Sequence, residues 1–304
     1  MIGCRRIDER RRILTGESSG RGDRAAAEVP GDVTVLGGRA VHVLHRPGTG
    51  AAVVLLGGCG VPYYTWDSVL AALPEVDGVT LDRPGLVGTP WPRVLPRLGD
   101  EVATLSDLIH HLGGGPVVLV AHSMAGFHVE ALAREHPALV AAVVLVDSSV
   151  EWAPRRPVLA SGWLWVARGV QALFGLPAVR PAGSFADRVL VAHHSRRKLL
   201  EPRSATAKAV YRSRDAAASV VAEQGAYGQQ AWDLSLLRRR TSFPDIPVVV
   251  VSATTAEGSR SDRDHARLAE LLGGDHRIAA DSGHLVMVDR PDLVAAAVRS
   301  VVSS

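Results

Sequence analysis

The stretch Val117-Val-Leu-Val-Ala-His-Ser-Met-Ala-Gly-Phe127 decides the fold class of this chain. Its first residues predict a β-strand and its last residues an α-helix, with a serine at the turn between them. A turn this tight strains the serine backbone and presses the strand against the helix, so the residues two positions before and after the serine have to be small. Ala121 and Ala125 meet that requirement. The stretch therefore predicts Ser123 as a nucleophile presented at the end of a strand.

Short runs of β-branched and other apolar residues recur on both sides of this stretch and alternate with segments of helical spacing. Runs without polar interruption, such as 117–121 and 248–251, are typical of strands that helices cover on both faces of a parallel sheet. The sequence therefore predicts an α/β fold with a doubly wound, mostly parallel sheet of eight strands. The predicted strands are 33–35, 41–44, 52–56, 79–81, 117–120, 142–146, 247–252 and 277–279, and the predicted helices are 65–73, 98–111, 124–135, 262–272 and 292–301.

A segment of about a hundred residues between the sixth and seventh predicted strands contains no convincing strand. Helical spacing is present at 159–173 and 205–222, and a connection far longer than the usual length of about 4–6 residues should pack as its own unit. Both flanking strands end at the crevice that holds Ser123, because parallel strands deliver their carboxyl ends to one edge of the sheet. We therefore predict a mobile helical lid at 148–245, inserted into a core formed by 31–147 and 246–304.

Aromatic residues are concentrated in this predicted lid. Apolar rings above a nucleophile would bind apolar acyl groups and exclude water from the reaction. The alternative is that these rings fill the small core of the lid itself. We predict that the wall of the substrate pocket is formed by Trp152, Trp163, Trp165 and Phe174.

The composition is that of a globular protein, since 47% of the 304 residues are hydrophobic and 21% are charged. The 34 Lys and Arg residues barely outnumber the 31 Asp and Glu residues, and seven of the arginines lie in residues 1–30, which we predict to be a flexible Arg-rich tail. Because no basic stripe with interleaved aromatic residues is present, nucleic-acid binding is not expected.

The N-terminal residues are polar and contain no apolar run of the length that a secretory signal needs. The most apolar stretch, 157–179, is broken by Arg168, Pro177 and several glycines, so a membrane span is not expected. The two cysteines, Cys4 and Cys59, cannot form a disulfide framework, which fits a reducing compartment. These features favour a cytoplasmic protein without a thiolate metal site.

Four further motifs accompany the serine turn and follow the third, fourth, sixth and eighth predicted strands. With them the chain resembles the α/β-hydrolase fold superfamily, specifically its lid-bearing serine hydrolases with esterase, thioesterase or lactonase activity, over residues 33–302 apart from a divergent lid. The resemblance implies the α/β-hydrolase fold and a Ser-His-acid triad. The four motifs are Gly57-Gly-Cys-Gly60, Asp82-Arg-Pro-Gly85, Asp147-Ser148 and Asp281-Ser-Gly-His284.

The chain departs from the family's pattern at three places, one of which is the position after the seventh strand, where the family's usual carboxylate would fall on Ala256. Ala121 and Ala125 stand where the family usually has glycine, a change that the sterics of the turn tolerate. Gly57 replaces a histidine whose side chain normally braces the turn after the third strand. That turn is therefore expected to be either looser than in the family or braced by other residues.

A serine hydroxyl is a poor nucleophile that needs a base within hydrogen-bond reach, and an acid has to hold the base in one tautomer. With Ser123 as the nucleophile, we predict His284 as the base, because it lies in the loop between the last strand and the final helix. His122 is predicted to pack in the interior. Several positions are open for the acid, and one alternative is that no functional acid is present; the candidates are Glu257, Asp147 and Asp262.

By the resemblance, the oxyanion hole is formed by the backbone N–H groups of Met124 and Cys59, and Gly58 contributes to substrate binding. A nucleophilic role for the Cys59 thiol is the weaker alternative, because no base is placed beside it. No metal, nucleotide or flavin motif is present, so no cofactor and no metal site are expected.

These features together predict a serine hydrolase that cleaves a small to medium apolar ester, thioester or lactone through an acyl-enzyme on Ser123. Its expected partner is a small apolar acyl substrate, and the sequence does not determine the oligomeric state. Two alternatives use the same pocket: a non-hydrolytic enzyme such as a cyclase, a lyase or a C–C bond-cleaving enzyme, and a binding protein without turnover.

Overall fold

The computed structural model describes residues 29–157, 160–179, 194–195, 210–211, 213–254 and 258–303. In these ranges the chain forms an eight-stranded sheet, which confirms the predicted fold class. Each strand overlaps one of the predicted runs. In chain order they are β1 Asp32–Leu36, β2 Arg39–Arg46, β3 Ala52–Leu56, β4 Asp77–Asp82, β5 Val117–His122, β6 Val140–Val146, β7 Val248–Thr254 and β8 Asp275–Ala280.

The strands lie in the order β1-β2-β4-β3-β5-β6-β7-β8. The first two neighbouring pairs, β1 with β2 and β2 with β4, are antiparallel. The other five pairs are parallel. The strands from β3 to β8 therefore deliver their carboxyl ends to one edge, where a ligand crevice is expected in a sheet of this kind.

Helices cover the sheet on both faces. The helices of the described residues are α1 Asp67–Ala71, α2 Leu98–His111, α3 Ala125–Glu135, α4 Ala160–Gly175, α5 Arg214–Arg238, α6 Arg260–Leu272, α7 Val286–Asp289 and α8 Pro291–Val302, with short 3₁₀ turns at Tyr63–Trp66 and Pro137–Leu139. Of these, α4 packs on α5. The unbroken apolar strands follow from this double cover. In β3, for example, Val54 and Leu56 pack in the layer that contains α2, α3 and α6, whereas Val53 and Leu55 pack in the layer that contains α1 and α8.

The described residues between β6 and β7 form the helices α4 and α5. Helix α5 begins later and ends later than the predicted segment at 205–222, and it runs for 25 residues. The Ser213 hydroxyl caps its first turn by accepting from the N–H groups of Asp215 and Ala216 at 3.2 and 3.4 Å. The sequence did not predict where α5 ends, because one part of this helix packs on the core and another part packs on α4. Its buried residues therefore do not form a single apolar stripe.

Residues 1–28 of the predicted Arg-rich tail lie outside the described residues. In the helices that the structure describes, no segment combines the length and the apolar character that a membrane crossing requires.

Candidate active site

Ser123 lies at the turn between β5 and α3 with a φ of 52°, in the left-handed region that residues other than glycine rarely adopt. Its N–H donates to the carbonyl of Val146 at 3.2 Å, and its carbonyl accepts from the N–H of Gly126 at 3.0 Å and of Ser149 at 3.1 Å. The flanking Ala121 and Ala125 are completely buried. The strained, tightly packed turn expected from the small residues is therefore present.

Asp147 takes the matching position after β6, with a φ of 42°. Its Oδ2 accepts a hydrogen bond from Nδ1 of His284 at 2.5 Å, and its Oδ1 accepts from the N–H of Ala253 in β7 at 2.9 Å. Because a carboxylate can only accept, Nδ1 of His284 carries the proton. This leaves Nε2 of His284 as the basic nitrogen.

Of the other two candidate acids, Asp262 lies within the described residues and does not contact His284 there. Asp262 lies at the start of α6, where its Oδ2 accepts from the N–H of Gly258 at 2.8 Å and its Oδ1 lies 3.6 Å from His276. Glu257 lies outside the described residues. The structure thus pairs His284 with Asp147 and places Asp262 in a separate cluster.

Ser123 and His284 line the same cavity, which has a volume of about 200 Å³. In the described part of the chain, no direct hydrogen bond joins the Ser123 hydroxyl to the His284 ring. The remaining lining residues come from the turn and the 3₁₀ segment after β3, from the end of β5, from the insertion between β6 and β7, and from the loop after β8; they are Cys59, Val61, Thr65, His122, His194, Tyr211, Val220, Gln224 and Leu285.

The turn at residues 57–60 lies directly against Ser123. A Cβ atom added to Gly58 would come within 2.7 Å of the Cβ of Ser123 and 2.8 Å of Nδ1 of His122, so this position requires glycine. Among the described residues, no protein acceptor is bonded to the backbone N–H of Cys59 or of Met124. These two donors, one in the residue after Ser123 and one in the turn that lies against Ser123, are available to an oxyanion.

His122 connects this turn to the loop that carries His284. Its Nδ1 accepts from the N–H of Gly58 at 3.3 Å, and its Nε2 donates to the carbonyl of His284 at 2.9 Å. Burial of the ring lowers the pKa of His122 well below its usual value, so the ring stays neutral and keeps this pair of hydrogen bonds. The residue predicted only to pack therefore also joins two parts of the site.

The Cys59 thiol is not suited to a nucleophilic role. Burial, together with the nearby Glu223 carboxylate, raises the pKa of Cys59 far above its usual range, and its Sγ donates to the carbonyl of Val220 at 3.5 Å. Since the thiolate is the reactive form, these surroundings disfavour the Cys59 thiol as a nucleophile, although Cys59 lines the cavity.

The aromatic residues of the insertion require a correction. Of the residues that the structure describes, the lining of the cavity includes none of the four predicted rings. Trp152 donates to Asp264 of α6 at 2.9 Å, and Trp163 lies against Gly225 of α5 while staying 44% exposed. Trp165 is 70% exposed, because it lies two positions from Trp163 and so points away from α5, and Phe174 is half-buried.

Three residues that the sequence did not indicate line the cavity where the aromatic rings were predicted. His194, Tyr211 and Gln224 line the cavity and all belong to the insertion, where the sequence offers no motif from which their direction could be inferred. Within the described ranges, no group of three or more His, Cys, Asp or Glu side chains is arranged so that it could hold a metal ion.

Comparison with known proteins places the site in context. Residues 52–291 match the family model described as the alpha/beta hydrolase fold. The chain is 28% identical over 249 residues to Lipase LipV of Mycobacterium tuberculosis, an overlap that covers 77% of this chain and 87% of that protein.

Two solved structures share the fold at low sequence identity. Wild-type Cfl2 from Burkholderia cenocepacia superimposes with a TM-score of 0.71 at 19% identity, covering 89% of this chain and 94% of that one. The enol-lactonase from Burkholderia xenovorans LB400 does so with a TM-score of 0.66 at 18% identity, covering 90% of this chain and 100% of that one.

Proposed function

Because this chain belongs to the α/β-hydrolase fold family, we propose that it is a serine hydrolase that cleaves a small to medium apolar ester through an acyl-enzyme on Ser123. The observation that carries the proposal is the 2.5 Å hydrogen bond between Asp147 and His284, beside a cavity that Ser123 also lines. The similarity to Lipase LipV supports ester hydrolysis as the reaction class.

In the proposed mechanism, Nε2 of His284 accepts the proton of the Ser123 hydroxyl as the oxygen attacks the ester carbonyl. Asp147 stabilises the imidazolium that forms and keeps Nδ1 protonated. His284 then donates its proton to the leaving alcohol, and an acyl group remains on Ser123. A water molecule activated by the same nitrogen cleaves this acyl-enzyme and regenerates the serine.

Negative charge develops on the carbonyl oxygen in both steps. The proposed donors to this oxygen are the backbone N–H groups of Met124, at the start of α3, and of Cys59, with Gly58 allowing the turn to approach Ser123. Donors fixed in place before the reaction stabilise the transition state without a cost for reorganisation.

The insertion at 148–245 is proposed to act as the lid of the substrate cavity. Val220 and Gln224 of α5, together with His194 and Tyr211, support this role because they line the cavity beside Ser123. With about 200 Å³, the cavity is smaller than the range of about 300–1,000 Å³ that is typical of sites for drug-sized ligands. The substrate is therefore proposed to carry a short acyl chain.

We expect the purified protein to hydrolyse p-nitrophenyl acetate and butyrate with a kcat/KM at least about tenfold higher than that for the dodecanoate, since a cavity of about 200 Å³ has no room for most of the longer chain and even one methylene can change kcat/KM by about tenfold or more. A fluorophosphonate probe should label Ser123, as shown by mass spectrometry of the labelled peptide. Absence of both labelling and hydrolysis across the whole ester series would reject the proposed function.

Replacement of Trp165 by alanine should change KM by less than about twofold for every ester in this series, because the ring is exposed and does not line the cavity. KM values measured for the acetate and the dodecanoate test this expectation. A KM that rises for the dodecanoate alone would instead place Trp165 on the path of long acyl chains.

A further inference from the structure

The turn that presents the Cys59 N–H is bound on several sides by one buried ion pair. The Arg83 guanidinium donates through Nη1 to the carbonyl of Gly57 at 2.7 Å and through Nη2 to the carbonyl of Gly58 at 2.5 Å. Its Nε and Nη2 also donate to the Glu223 carboxylate, at 2.8 and 3.0 Å. Arg83 thus joins the turn to a carboxylate that comes from a distant part of the sequence.

Glu223 in turn contacts the same turn directly. Its Oε2 accepts from the N–H of Gly60 at 2.8 Å, so the ion pair binds the backbone on both sides of Cys59. Arg83 follows β4 in the core, whereas Glu223 belongs to α5 in the insertion. Both side chains are buried, with 6% and 4% of their surface exposed.

A buried ion pair is weak evidence for a gain in stability, because removing two charges from water costs free energy that their attraction only partly returns. The geometry of this ion pair says more about its role than its contribution to stability does. The planar guanidinium presents several N–H groups in a fixed fork, which lets Arg83 hold two carbonyls and a carboxylate at once. Gly57 has no side chain that could brace the turn. Hydrogen bonds between the backbone of the turn and the side chains of Arg83 and Glu223 hold it instead.

We propose that Arg83 and Glu223 are positioning residues for the oxyanion hole. By fixing the carbonyls of Gly57 and Gly58 and the N–H of Gly60, they aim the Cys59 N–H at the reacting carbonyl. Helix α5 then has to stay packed on the core for the oxyanion hole to be complete, because it carries Glu223. This inference rests on the proposed serine hydrolase function.

A second buried cluster supplies a matched control. The Glu130 carboxylate in α3 accepts from Arg134 at 2.9 Å and from Arg238 of α5 at 2.6 Å, and 3% of its side chain is exposed. It therefore also ties α5 to the core through buried charges. In contrast to Glu223, it makes no contact with the turn at residues 57–60 among the hydrogen bonds of the described residues.

The test compares Glu223→Gln, Arg83→Lys and Glu130→Gln with the wild-type enzyme on a short-chain ester. Loss of one oxyanion donor typically costs about 10²–10³-fold in kcat, so displacement of the Cys59 N–H should lower kcat by about 10–100-fold, with KM within about threefold of wild type. The rate of phosphonylation by a fluorophosphonate should fall in parallel. Glu130→Gln should keep kcat within about twofold even where its melting temperature falls.

Hydrogen exchange supplies a readout that does not need turnover. Peptides that span residues 57–60 should exchange faster in Glu223→Gln than in wild type or Glu130→Gln, because the Gly60 N–H loses its charged acceptor. Should Glu223→Gln fail to fold, Arg83→Lys decides the question, since it keeps both charges but lacks the fork.

Two results would overturn the inference: kcat within twofold of wild type in both Glu223→Gln and Arg83→Lys, or an equal loss of kcat in Glu130→Gln. A wild-type protein that neither hydrolyses esters nor reacts with the probe would reject the proposed function itself. In that case, unchanged exchange at residues 57–60 in Glu223→Gln would show separately that the ion pair does not hold the turn.

Discussion

Replacing Ser123 by alanine should lower kcat for short-chain esters by about a millionfold, the loss that removal of a triad nucleophile typically produces. The side chain is half-buried at a strained turn, and alanine removes only its hydroxyl, so the fold should persist. The measurement is ester hydrolysis together with fluorophosphonate labelling of the variant, with circular dichroism to verify folding.

Ser252→Ala is the matched control for this substitution. Ser252 lies in β7, is completely buried and hydrogen bonds to His276 at 2.8 Å, with Asp262 nearby, so it belongs to another Ser-His-Asp group that does not line the cavity. The control should keep both labelling and hydrolysis. Full esterase activity in a folded Ser123→Ala protein would eliminate the acyl-enzyme mechanism.

If the proposed mechanism holds, replacing Asp147 by asparagine should lower kcat by about 10⁴-fold with little change in KM, the loss that the same substitution of the triad acid causes in serine proteases. The amide can still accept the N–H of Ala253, but it cannot stabilise the imidazolium of His284, and its NH₂ group favours the tautomer with the proton on the wrong nitrogen. Steady-state kinetics on the same ester check this expectation.

Two further variants show whether the loss is specific to Asp147. Asp262→Asn should keep kcat near that of wild type, because this carboxylate binds the N–H of Gly258 and lies near His276. Glu257→Gln should also keep kcat near that of wild type. A large loss in Glu257→Gln combined with nearly normal turnover in Asp147→Asn would transfer the role of the acid to Glu257.

Most of the fold could be predicted from local patterns. Each of the eight strands overlaps a predicted run because strands covered on both faces form unbroken apolar segments that are easy to recognise. The turn at Ser123 was recognisable because only small residues fit where a strand is pressed against a helix. The extent of α5 could not be recognised from the sequence, because a helix that contacts both the core and α4 lacks a single apolar stripe.

The candidate site was only partly accessible from the sequence. Ser123 and His284 occur in recognisable motifs, but the predicted aromatic wall was placed incorrectly. Spacing along α4 identifies apolar residues without saying which of them point to the cavity, and the structure shows Trp165 directed to solvent. The contact between Arg83 and Glu223 spans 140 positions, and nothing local to either residue indicates it.

By itself, the sequence determined the α/β fold, the serine at the strand–helix turn and the histidine after the last strand, because each depends on the conformation of a few neighbouring residues. Only the tertiary structure decided that Asp147 is the carboxylate bonded to His284, since the ends of β6 and β7 meet at the same edge and local sequence cannot rank two acids by distance. It also decided that α5 supplies Glu223 to the turn beside Ser123, because such a contact exists only once the insertion has packed on the core.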